Sequence, residues 1–115
     1  MCLDTVYKEI KVKEGIGWKE FGYIDNGWAE SLFQGGCLRV GKWIRDKNTT
    51  PIRVKNDSDY PAGFHLYKEN SGEWHRRCVQ FRDVGATGQQ FNEDIIVARE
   101  IRVMTKKESK AEERR

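Results

Sequence analysis

Hydrophobic and polar positions alternate along much of this chain with a period of two, the spacing of a strand with one covered face. In residues 5–13 (TVYKEIKVK), Val6, Ile10 and Val12 fall on one face, and Tyr7, Glu9 and Lys11 fall on the other. Gly15-Ile16-Gly17 interrupts this run, and residues 18–24 (WKEFGYI) read as a second strand paired back on the first as a hairpin. Asp25-Asn26-Gly27 is a turn signal. Residues 28–34 (WAESLFQ) suit either one or two helical turns stopped by Gly35-Gly36 or an extended edge segment. Residues 37–45 (CLRVGKWIR) alternate again, with Leu38, Val40 and Ile44 against Arg39, Trp43 and Arg45.

Further on, residues 52–55, 63–67 (GFHLY) and 74–84 read as strands, with Val79 and Phe81 inward in the last of these. Residues 46–51, 56–61 and 68–73 are polar and rich in turn formers, and Gly85-Ala86-Thr87-Gly88 reads as a hairpin turn. The longest strand-like run is residues 94–104 (DIIVAREIRVM). Ile95, Val97, Ile101 and Val103 share one face, and Ile96, Ala98 and Met104 the other, so it is a candidate central strand. Arg99 interrupts the first face, which predicts a bulge or a buried ion pair there. About seven short strands and at most one short helix predict a mainly β or β-rich α+β fold. The expected architecture is a small antiparallel, barrel-like single domain over residues 1–104.

Composition changes this picture in two places. Of the net charge of +3, two units lie in residues 105–115 (TKKESKAEERR), so the body is nearly neutral. That segment lacks apolar periodicity and reads as a charged tail, flexible or a frayed helix. Bulk charge therefore gives no argument for a nucleic-acid face on the body. Three widely spaced cysteines, Cys2, Cys37 and Cys78, do not form a secreted disulfide framework. With no apolar run of membrane-spanning length and no signal-peptide pattern, the expectation is a reduced, cytoplasmic protein without a membrane partner.

Candidate chemistry is sparse. His75 and Cys78 lack the paired spacing of a zinc site, so no metal is expected, and no motif calls for a cofactor. The glycine loop at residues 85–88 lacks the helix and the Lys-Ser/Thr of a phosphate cradle. No nucleophile signature occurs, and no catalytic residues are assigned. An enzyme reading would use His65 with a distant acid such as Glu93 or Asp94, but general acid–base work needs a positioned partner that spacing does not reveal. His65 and Tyr67 share a face opposite Phe64 and Leu66. Aromatic and basic residues interleave at Arg39 and Trp43 and again at Trp74 and Arg76. Such positions either stack and charge-pair with a ligand or form a second core layer with snorkelling arginines. The candidate binding face is therefore Arg39, Trp43, His65, Tyr67, Trp74 and Arg76.

Several short segments occur together in order. They are Tyr7-Lys8, then Gly41-Lys42-Trp43, then Gly63-Phe64-His65, then Gly88 followed by Asp94, Val97, Ala98 and Ile101, after a Met-Cys-Leu opening. In this order the chain resembles a class of uncharacterised small proteins encoded by bacteriophages and prophages; residues 18–29 lie outside the likeness. The resemblance implies a mobile-element accessory protein in a bacterial cytoplasm and brings no activity. Together with the small size and the lack of a catalytic set, it leads to the expectation of a non-enzymatic binding protein acting on a host or phage protein, for which inhibition of a host defence is one candidate role. A nucleic-acid or nucleotide binder using the Trp/Arg clusters is the alternative.

Overall fold

A computed structural model describes residues 3–25, 28–31, 37–54, 59–69 and 76–113. Among these the chain forms eight strands and one helix: β1 Thr5–Val6, β2 Glu14–Asp25, β3 Trp28–Ser31, β4 Cys37–Arg39, β5 Trp43–Arg45, β6 Phe64–Tyr67, β7 Arg76–Gln90, β8 Glu93–Val103 and α1 Lys106–Glu113. All strand pairs are antiparallel. The expected β-rich fold is the observed one.

The long β7–β8 hairpin organises the rest. β8 pairs with β7 on one edge and with β5 and β6 on the other, which makes it the central strand its two apolar faces predict. β2 pairs with β7 from Glu14↔Arg82 to Glu20↔Arg76, and it touches β6 at Trp18↔Tyr67. The circuit β7–β8–β6–β2–β7 is thereby closed, which gives the sheet its barrel-like form. The end of β2 continues into β3 and β4.

Two apolar clusters follow. One gathers Phe21, Ala29, Phe64, Leu66, Val79, Phe81, Ile96, Ala98, Ile101 and Val103. The other gathers Leu3, Tyr60, Tyr67, Ala86, Ile95 and Val97. β6 separates them, so all four of its residues are buried.

Several expectations are corrected. Residues 5–13 are not a strand hairpinned onto β2. Only Thr5–Val6 is paired, and its partner is β7 at Gly88 and Gln89. With no ladder beyond Val6 to enforce alternation, Ile10 turns to solvent at 45% exposure. Residues 37–45 are two strands in different pairings, because Gly41, at φ +83, turns the chain between them. Trp28–Ser31 is extended, but it is not an edge, because β3 lies between β2 and β4; residues 32–34 of that segment and Asn26-Gly27 lie outside the described residues.

Gly85-Ala86-Thr87-Gly88 is strand, not turn. The ladder shifts register between Val84 and Ala86, so Gly85 is the extra residue of a bulge. Gly88 lies so close to β1 that a Cβ there would overlap the Thr5 carbonyl. The hairpin instead turns at Phe91 and Asn92, both with positive φ, as a two-residue type I′ connection requires. At Arg99 there is no bulge in β8 and, among the described residues, no ion pair. Its guanidinium donates to the carbonyls of Asp46 (2.7 Å), Asn48 (2.7 Å) and Ala62 (2.6 Å), tying the β5–β6 connection to the sheet.

The segment 105–115 contains α1. Its start is a reciprocal capping box. Thr105 Oγ1 accepts from the Glu108 N–H, and the Glu108 carboxylate accepts from the Thr105 N–H. Arg102 on β8 grips the same carboxylate with two bonds of 3.0 Å, which, with those backbone contacts, holds Glu108 down to about pKa 2.

Candidate functional site

The five described residues of the candidate face do not form one surface. Arg39 is exposed on β4, in the β2–β3–β4 extension, while Trp43 lies on β5 against β8. Trp74 lies outside the described residues, as do His75 and Cys2. His65, Tyr67 and Arg76 are buried, at 5%, 7% and 6% exposure. Alternation placed His65 and Tyr67 on one face correctly, but that face is covered by Leu3, Tyr60 and the β7–β8 hairpin.

The covered face is a closed polar network. His65 Nδ1 is 3.2 Å from the Gly63 carbonyl, which can only accept, so Nδ1 carries the proton and Nε2 is the acceptor. The Tyr60 hydroxyl, 2.8 Å away, then donates to Nε2, while its oxygen accepts from the Leu3 N–H at 3.0 Å. Both ring nitrogens are engaged. Burial, followed by the charge of Lys19, pushes His65 down to about pKa 4. The Nε2 lone pair that a general base would use is taken by the Tyr60 hydroxyl, and burial weakens it as a proton acceptor.

Arg76 is the second half of this network. Its guanidinium pairs with both carboxylate oxygens of Glu93 at 3.0–3.1 Å and lies 3.5 Å from Glu20. It also sits over the Tyr67 ring, 3.6 Å from the centroid. Burial and the hydrogen bond to Glu20 push the Tyr67 phenol up to about 12. Glu93 is therefore a structural partner of Arg76. Asp94 accepts from the Tyr7 hydroxyl at 2.8 Å.

Trp43 is 38% exposed, and Arg82 already stacks on it at 3.9 Å. The neighbouring charges are matched: Arg45 binds Asp83 and Glu100, and Arg82 binds Glu100, at 2.9–3.0 Å. Across the ladders these form the row Arg45–Glu100–Arg82, a cross-strand arrangement with little field left over.

One further group has a strongly shifted proton affinity. Lys19, on β2 between buried Gly17 and Phe21, is 5% exposed. Burial drives its ammonium down to about pKa 8, against the opposing pull of Glu20 and Asp46.

Among the described residues, a small opening of 200 Å³ borders the Arg76 network, lined by Tyr67, Glu69, Gln89, Asn92, Glu93 and Asp94, and a roomier one lies elsewhere. A cleft of 790 Å³ is lined by Val12, Ile16, Phe81, Ile95 and Ile96, with Tyr7, Glu9, Lys11, Lys68, Thr87 and Asp94 contributing polar groups. That volume is within the range of small-molecule sites, and the mix of apolar wall and few polar groups is theirs too. On one edge β2 follows β7 from Glu14 to Glu20, while on the other it meets β6 only at Trp18↔Tyr67, so Ile16 and Lys68 flank a gap between β2 and β6. Residues 7–12 border the gap. Tyr7, Glu9 and Lys11, expected to face solvent, line it together with Val12.

Sequence reasoning missed this site. Its only trace in the sequence is a strand-patterned run, residues 7–12, between two short structural breaks. Among the described residues, no group of three or more His, Cys, Asp or Glu side chains could hold a metal, and no helix is long and apolar enough to cross a membrane. Cys78 is buried and is not in a disulfide. No protein-family model, curated protein or solved structure matches this chain.

Proposed function

We propose that this chain is a non-enzymatic binding protein that works by occupancy, and that the bound group enters the cleft between residues 7–12 and the β7–β8 hairpin. The observation that carries this reading is the 790 Å³ cleft, whose lining includes the interior residues Phe81 and Ile96. The resemblance to phage-encoded proteins supports a mobile-element origin, a bacterial cytoplasm and a host or phage protein as target, including a component of host defence.

The nucleic-acid alternative has less support. Its best residue, Trp43, is stacked by Arg82, and the arginines around it are neutralised by Asp83 and Glu100. An incoming base would have to displace Arg82 and would meet little net positive charge.

The test is binding of the apolar fluorophore anilinonaphthalene sulfonate to the native protein. One saturable site is expected. Filling the cleft with Ile16→Trp should weaken binding at least ten-fold, and Trp43→Ala should leave it unchanged. Binding lost in Trp43→Ala but retained in Ile16→Trp would move the site to the Trp/Arg surface and end this reading.

A further inference from the structure

Phe91 is the most exposed large apolar side chain among the described residues, at 76%; Tyr7, Ile10, Ile16 and Trp43 stand at 37–45%. It takes the first turn position of the β7–β8 hairpin with φ +51, followed by Asn92 at φ +63. Asn and Gly adopt that left-handed conformation at the lowest cost, and water favours a polar side chain there. Both preferences of the fold thus point away from phenylalanine. The turn is fixed without the ring, because the Asp4 carboxylate accepts from the Phe91 N–H at 3.0 Å. The charges linked to the tip are one-sided. Asp4 caps it, Glu69, Glu93 and Asp94 share the 200 Å³ opening with Asn92, and Glu20 shares Arg76 with Glu93. Against these five carboxylates stand Arg76 and Lys68, whose backbone N–H meets the Asp94 carbonyl. Glu9 and Lys11, which line the cleft with Asp94, cancel each other.

We infer that the β7–β8 tip is a second contact surface, where the Phe91 ring enters an apolar hollow on a partner protein whose rim carries Lys and Arg side chains. This does not rest on the cleft, whose lining does not include Phe91. An aromatic anchor has few rotatable bonds to immobilise, and taking its ring out of water supplies affinity. Opposite charges around the anchor fix its orientation and speed the encounter. The excess of carboxylates disfavours a nucleic-acid backbone or an anionic lipid surface, so the class of partner is a protein.

The test is selection of a displayed library of disulfide-constrained peptides on the full chain, after which the enriched peptides are synthesised and titrated. Enriched peptides should combine apolar residues with more Lys and Arg than Asp and Glu, and raised salt should weaken them. Phe91→Asn, which keeps a residue suited to the turn, should weaken their binding roughly thirty-fold. The same variant should keep or raise the urea midpoint and should still bind anilinonaphthalene sulfonate in the cleft, whereas Ile16→Trp should leave peptide binding intact. No enrichment, enrichment of acidic or neutral peptides, or binding that survives Phe91→Asn would overturn the inference. So would a lowered urea midpoint in Phe91→Asn, since the ring would then serve the monomer itself. Phe91-dependent binding to phosphatidylglycerol vesicles or to oligodeoxythymidylate, tighter than to any peptide, would reassign the tip to lipid or nucleic acid and overturn the protein partner. Loss of the anilinonaphthalene sulfonate site alone would end the cleft reading and leave this one standing.

Discussion

The two sides of the β7–β8 hairpin carry opposite designs. The Ala86↔Val97 pair belongs to the cluster around Tyr60, His65 and Tyr67, where each polar atom of His65 has a partner inside the protein. The next pair along the ladder, Thr87↔Ile96, lines the cleft, where the side chains of Lys11, Lys68 and Glu9 have none among the described residues. Residue type points the wrong way here. His65, Tyr60 and Arg76, side chains well suited to proton transfer and ligand binding, are engaged within the protein, while isoleucines and surface lysines join Tyr7 in lining the opening. What separates a site from a core is uncommitted bonding capacity next to accessible volume, and neither belongs to a single residue.

The contrast can be broken from the closed side first. Arg76→Met should be the most costly change, because it leaves Glu20 and Glu93 without their cation. A loss of about 3 kcal/mol is expected, the low end for a broken buried pair, since Glu93 keeps 38% of its side chain in water. Urea unfolding checks it, and anilinonaphthalene sulfonate affinity of the folded variant should be unchanged.

Acid should reach the same network by another route. Between pH 6.5 and about 4 the unfolded chain binds a proton at His65 that the folded chain does not, so stability falls as pH falls through that window. The loss from this group approaches roughly 3 kcal/mol at its lower end. It appears as the part of the pH slope that His65→Gln removes from urea midpoints. Tyr60→Phe comes next, at about 2 kcal/mol, because it strands the buried Leu3 N–H and leaves His65 Nε2 without its donor. Open-side changes should be smallest in stability and largest in binding. Lys11→Glu and Lys68→Glu should shift unfolding by no more than about 0.5 kcal/mol.

Much of the sheet was legible because a central strand leaves apolar residues on both faces, as residues 95–98 do. The pairing of His65 with Tyr67 on one side of β6 was legible for the same reason. Whether that side was covered was not, since its covers, Leu3 and Tyr60, come from segments with no pattern linking them to β6. The β7–β8 turn was misplaced because Gly85 and Gly88 are the stronger local signals. They serve a bulge and the close approach of Thr5, while Phe91 and Asn92 take the positive φ angles without glycine. The cleft was illegible because it is a gap left where β2 parts from β6, and pairing changes of that kind leave no mark on periodicity.

The most direct test of the contrast is amide chemical-shift mapping of the native protein during titration with anilinonaphthalene sulfonate. The account predicts shifts at Val12, Ile16, Lys68, Phe81, Thr87 and Ile96, with Arg39, Trp43, Tyr60 and His65 unmoved. Shifts centred on Arg39, Trp43 and Arg82, with Ile16 and Ile96 silent, would contradict it.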